Sequence, residues 1–121
     1  MFFTKPPQKK QDGPCIIQCS VGSETEAETI AKALLNQKLA ACIQLIPITS
    51  WFVWEDHESR EIEMLLQIKT FDSRFADIQK VILSLHSYQV PEIIRTPING
   101  ITEGYFNWMK QQIAPSSDTQ Q

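Results

Sequence analysis

Glycine is scarce in this 121-residue chain: the four, at positions 13, 22, 100 and 104, never fall in a GxGxxG or P-loop spacing. Backbone cradles for phosphate need such spacing, so nucleotide binding through a glycine-rich loop is excluded. No CxxC or HxxxH pair exists to hold two soft ligands on one face of an element. Cys15, Cys19 and Cys42 are odd in number, which leaves at least one thiol unpaired within a monomer and fits a reducing cytoplasm. No apolar run is long enough to span a membrane. The opening Met1 to Lys10 breaks into prolines and lysines after two aromatics, and is read as lacking a secretory signal. Eleven basic residues against 14 acidic ones give a net charge of -3 with no basic stripe, so nucleic acid is not an expected partner.

With 42% hydrophobic residues the chain can build one small domain whose core is thin for its size. Residues 1–14 are polar and rich in proline, residues 114–121 are a Ser/Gln/Asp tail, and both ends are expected to fray. The working domain is expected over 15–113.

Cys15, Ile17, Cys19 and Val21 share one face of a first strand at period 2. Ser23 followed by Glu26 forms a capping box, and Ala27, Ile30, Ala31, Leu34 and Leu35 then predict a helix over 24–38. Leu39 to Ile46 is apolar on both faces, as in an interior strand, and Pro47 is expected to interrupt it. Thr49 to Trp54 resumes with β-formers, residues 55–59 turn, and Ile62, Met64, Leu66 and Ile68 alternate, which together predict a long hairpin. Phe75, Ile78, Ile82 and Leu85 mark a second helix capped by Asp72 or Ser73, followed by a fourth strand over 92–98 and a closing helix with Tyr105, Trp108 and Met109.

The order β-α-β-β-α-β predicts an α+β, ferredoxin-like subunit with a long β2-β3 hairpin and a short C-terminal helix. Right-handed crossovers put both crossover helices on one sheet face and leave the other bare. Trp51, Phe52 and Trp54 lie within four positions on the hairpin, and burying each contributes on the order of 1.5–3 kcal/mol. A closed homo-oligomer whose subunits cover one another's open faces is therefore expected.

The run His86-Ser87-Tyr88-Gln89-Val90-Pro91-Glu92 packs an imidazole, a phenol and a carboxylate into seven residues between a helix and a strand. His86 serves there either as a metal ligand or as a helix-end residue whose imidazole meets unpaired carbonyls. Tyr88 is expected to bury its ring and bond its hydroxyl, and Pro91 to fix an extended lead-in to the last strand. Glu55, Asp56, Glu58, Glu61 and Glu63 form an acidic stretch read as a solvated, protective strand edge.

Leu39-Ala40-Ala41-Cys42 with Pro47, the aromatic segment Ser50 to Glu55, Ile68-Lys69-Thr70 and the stretch His86 to Glu92 appear in the order found in the CutA proteins, the divalent-cation tolerance family. The chain resembles that family over about 15–112, nearly the whole expected domain. The resemblance implies a tight homotrimer whose long hairpin reaches across to a neighbour's sheet, a structural likeness to the PII signalling trimers, and copper or another divalent cation as ligand. It also implies a metal-tolerance role rather than an enzymatic one. Two departures stand out: Ile48 occupies the place of a frequent glycine, and Leu85 precedes His86 where some members carry two histidines.

The metal ligands expected on this basis are Cys19, His86 and Glu92, with His57 of a neighbouring subunit as an alternative completion. Thiolate and imidazole suit soft cations, but three or four ligands must converge. A buried packing role for Cys19 is the competing reading, and firmer still for Cys15 and Cys42. Catalysis with Cys19 as nucleophile, His86 as base and Glu92 orienting it has the residue types but no glycine-rich oxyanion turn. A PII-like module binding a small effector in subunit clefts is the alternative function.

Overall fold

The computed structural model describes residues 12–115. Of the ends expected to fray, 1–14 and 114–121, residues 1–11 and 116–121 lie outside the described residues; Pro14 already begins the first strand, the Gly13 carbonyl accepts from the Asp72 amide at 2.9 Å, and the Ala114 amide donates to the Lys38 carbonyl at 3.0 Å. Strand β1 (Pro14–Val21) points Cys15, Ile17, Cys19 and Val21 into the core, all fully buried, as the alternation requires. Helix α1 (Glu24–Asn36) starts at Ser23, whose hydroxyl accepts from the Glu26 amide at 3.1 Å. It ends two residues before the predicted boundary because Lys38 turns into the left-handed region at φ 56°.

Strands β2 (Cys42–Trp54) and β3 (His57–Phe71) form the long hairpin, joined by a two-residue turn at Glu55 and Asp56. Strand β2 is not interior and Pro47 does not break it. The sheet order is β2-β3-β1-β4, with β4 at Ile94–Pro97, so β2 is an edge. An edge strand has one row of amides without a neighbour, and proline is tolerated there. The two apolar faces of β2 reflect another cause: Leu45 and Ile46 are left exposed.

A 3-10 turn (Asp72–Arg74) leads into helix α2 (Phe75–Leu85), and neither Asp72 nor Ser73 caps it. Asp12 instead takes the Ser73 amide at 2.9 Å and its hydroxyl at 2.6 Å, from a position 61 residues earlier. Helix α3 (Glu103–Gln112) begins at Thr102, whose hydroxyl accepts from the Tyr105 amide.

Strand pairing is antiparallel throughout, and α1 and α2 cover one face through Ile30, Leu34, Ile78 and Ile82 against Ile17, Leu66 and Ile68. This is the expected ferredoxin-like α+β arrangement. The second face is not wholly open. Phe71, which alternates with core-facing Thr70, packs there with Met109 and Ile113, so α3 covers one corner.

The pairing of β1 with β3 stops at Met64, so the hairpin beyond it, 48–54 against 57–63, is a two-stranded ribbon. Trp51, Val53 and Ile62 on this arm are 67%, 71% and 67% exposed. A bare two-stranded ribbon is marginal in water.

Candidate functional site

His86 follows the last residue of α2, and its amide closes the helix on the Ile82 carbonyl at 2.8 Å. Its side chain is 1% exposed. The ring does not turn back to the carbonyls of its own helix. It crosses to β1, where Nε2 lies 2.8 Å from the Ser20 carbonyl oxygen, while the Tyr88 amide donates to Nδ1 at 3.0 Å. An accepting Nδ1 assigns the proton to Nε2, which donates to Ser20.

Glu26 of α1 holds the same turn. Its carboxylate takes the Ser87 amide at 2.8 Å and the Ser87 hydroxyl at 3.1 Å, with Oε2 3.5 Å from His86 Nδ1. The capping box predicted at Ser23 is thus half made. The serine arm forms, and the glutamate arm serves the 86–88 turn instead.

The Tyr88 hydroxyl donates to Glu63 Oε2 at 2.6 Å. Burial first, and then this carboxylate, push the phenol above its ordinary range and keep it protonated. The hydroxyl bond matches expectation, but the ring is left part-exposed. Glu63 corrects the sequence reading more sharply: it is 6% exposed and no part of a solvated edge. Only its alternation with Ile62 and Met64 distinguishes it in the sequence, and that alternation cannot say what lies on the far face.

Cys19 is fully buried, and its thiol is pushed up from 9.0 to about 12 by burial, then by Glu92, Glu26 and Glu63. Cys15 is likewise pushed up to about 12, by burial and then Asp72. Glu92 is exposed, and His57 pairs with Trp54 at the hairpin turn. Among the described residues there is no group of three or more His, Cys, Asp or Glu placed to hold a metal ion. Both His86 nitrogens are engaged and the Cys19 thiol keeps its proton, so the donors as folded do not fit a soft metal. The same two facts deprive a Cys19/His86 pair of nucleophile and base.

Between the hairpin arm and the segment after α2 opens a cavity of about 870 Å³, with Ser20, Glu63, Tyr88 and Glu92 in its wall. The fold and this buried imidazole–carboxylate–phenol turn define a class: ferredoxin-like subunits with a projecting hairpin arm. Residues 15–112 match the family model described as CutA1 divalent ion tolerance protein, and the chain belongs to that family. The divalent-cation tolerance protein CutA of Thermus thermophilus is 36% identical over 97 residues, 79% of this chain and 94% of that one. Human protein CutA is 35% identical over 98 residues, 80% of this chain and 55% of its own length. The structure of the periplasmic divalent cation tolerance protein CutA from Archaeoglobus fulgidus superimposes with a TM-score of 0.82 at 34% identity. It covers 84% of this chain and 99% of that one.

Proposed function

We propose that the chain acts in divalent-cation tolerance as a cytoplasmic, non-enzymatic homotrimer of the domain 15–113. Relatives named for divalent-cation tolerance carry the role. The exposed arm supports the assembly, because Trp51, Val53 and Ile62 remain 67%, 71% and 67% exposed on it. Three free cysteines favour the cytoplasm, and a thiol held protonated in a packed core favours a non-enzymatic role.

Copper or another divalent cation on Cys19, His86 and Glu92 is the finer proposal, and it requires a locally opened form. The Tyr88 amide has to leave Nδ1 and the Cys19 thiol has to lose its proton. Affinity then falls as pH is lowered, since protons compete for both ligands. The test pairs growth with binding: a strain without the chain is expected to lose tolerance to raised copper or zinc. Cys19→Ala/His86→Ala is expected to lose Cu(I) affinity. Unchanged growth refutes the role, whereas unchanged affinity in the double variant removes only the trio.

A further inference from the structure

The three asparagines, Asn36, Asn99 and Asn107, precede Gln37, Gly100 and Trp108. Asn36 ends α1, where the Ala33 carbonyl holds the Gln37 amide at 3.2 Å, and Asn107 and Trp108 lie inside α3. A helical amide is committed to its ladder and cannot turn on the side chain before it. Asn99 and Gly100 stand instead between β4 and α3, both exposed and in neither helix nor strand. Among the described residues no hydrogen bond engages the Asn99 side chain or the Gly100 amide. Asp12 also precedes a glycine, but Ser73 holds both of its carboxylate oxygens.

The loop is anchored only at its two ends. The Ile98 amide donates to the Pro14 carbonyl at 3.0 Å, and the Thr102 hydroxyl caps α3. Pro14 starts β1, about 20 Å along the strand from Val21, beyond which the hairpin arm projects, so the subunit's own arm does not shield the loop. A Cβ built on Gly100 would meet nothing within 4 Å, so no neighbouring side chain crowds its nitrogen. A backbone nitrogen beside an unhindered side-chain amide is an intramolecular nucleophile, and glycine leaves the approach open.

We propose that Asn99 and Gly100 form a site of self-modification that ends in isoaspartate. The Gly100 nitrogen gives its proton to hydroxide and attacks Asn99 Cγ. The Cγ–Nδ2 bond breaks, Nδ2 leaves as ammonia with a proton from water, and a cyclic imide closes. Water then opens the imide: breaking the Cγ–nitrogen bond leaves aspartate, whereas breaking the main-chain carbonyl–nitrogen bond leaves isoaspartate, whose backbone runs through Cγ. No electrons are transferred, and water is the only co-reactant consumed. The amide becomes a carboxylate on the loop that leads into α3. The isoaspartyl carboxylate is a methyl acceptor for carboxyl methyltransferases that use S-adenosylmethionine, so an enzyme of that class is the partner the site fits. This modification goes beyond divalent-cation tolerance and does not depend on it.

Peptide mass spectrometry of the full chain in its native assembly, kept at pH 8 over days, tests the site. The Asn99 peptide is expected to gain about 1 Da, an NH2 group having been exchanged for OH, while the Asn36 and Asn107 peptides keep their mass. The aged Asn99 peptide is also expected to accept methyl groups from S-adenosylmethionine through an isoaspartyl carboxyl methyltransferase, and Asn99→Gln to accept none there. Gly100→Ala fits the open space without a left-handed φ, and is expected to slow the mass gain about tenfold or more because its Cβ obstructs the attack. An unchanged Asn99 mass in the native protein overturns the proposal, whether or not the urea-unfolded chain gains it. So does an equal rate at Asn36 or Asn107, an unchanged rate in Gly100→Ala, or an aged Asn99 peptide that accepts no methyl group.

Discussion

Glu26 and Glu63 occupy positions where local rules place solvated carboxylates, a helix first turn and an acidic hairpin, yet each anchors the turn that follows α2. Local rules see neighbours within four positions, and both contacts span far more. His86 and Tyr88 stood out in the sequence because they share a seven-residue run, whereas their partners come from α1, β1 and β3. Cys19 was legible as a core residue from period 2 alone, and its proton follows from that burial. The folded chain retains the Cys15 and Cys19 protons to about pH 12, whereas the unfolded chain releases them near 9.0. Below pH 9 both states carry the protons and these thiols add no pH dependence. Between the two values the unfolded state binds fewer protons, so stability falls as pH rises. The urea midpoint is expected to decline above pH 9, and Cys15→Ala/Cys19→Ala to flatten that decline; an unchanged slope would remove the burial explanation. At pH 8, iodoacetamide read by mass spectrometry is expected to mark half-buried Cys42 before either of the others.

The hairpin arm is the element where prediction and structure differ most usefully. Alternation identified β3, and a two-faced apolar run followed by β-formers identified β2, but Pro47 suggested a break that an edge strand does not need. Glu55 and Asp56 carry the turn at φ 50° and 65°, a left-handed pair that matches the right-handed strand twist and strains residues with a Cβ. Glu55→Asn/Asp56→Gly is therefore expected to stabilise the chain by about 1 kcal/mol. Urea denaturation measures this, and a lowered midpoint would contradict the assigned turn. Helix α2 teaches the converse. Its apolar spacing was plain, while its start depends on Asp12, which no capping rule searches 61 positions away.

For the whole molecule, the sheet has two edges and a projecting arm, and α3 covers only one corner of the second face. The proposed homotrimer buries the rest, so sedimentation equilibrium is expected to give three times the 13.9 kDa subunit mass. Val53→Glu/Ile62→Glu places charges on the arm residues exposed by 71% and 67% and is expected to yield smaller species. A wild-type monomer at micromolar concentration would end the proposal. By itself the sequence determined the element order, the core-facing set and the family likeness, because periodicity and motif order are properties of neighbouring residues. Only the tertiary structure decided that β2 is an edge, that Glu63 is buried, and that the His86 ring spends both nitrogens on Ser20 and Tyr88. Ser20 and His86 are 66 positions apart, and their meeting depends on sheet order, strand register and the docking of α2, which no local pattern encodes.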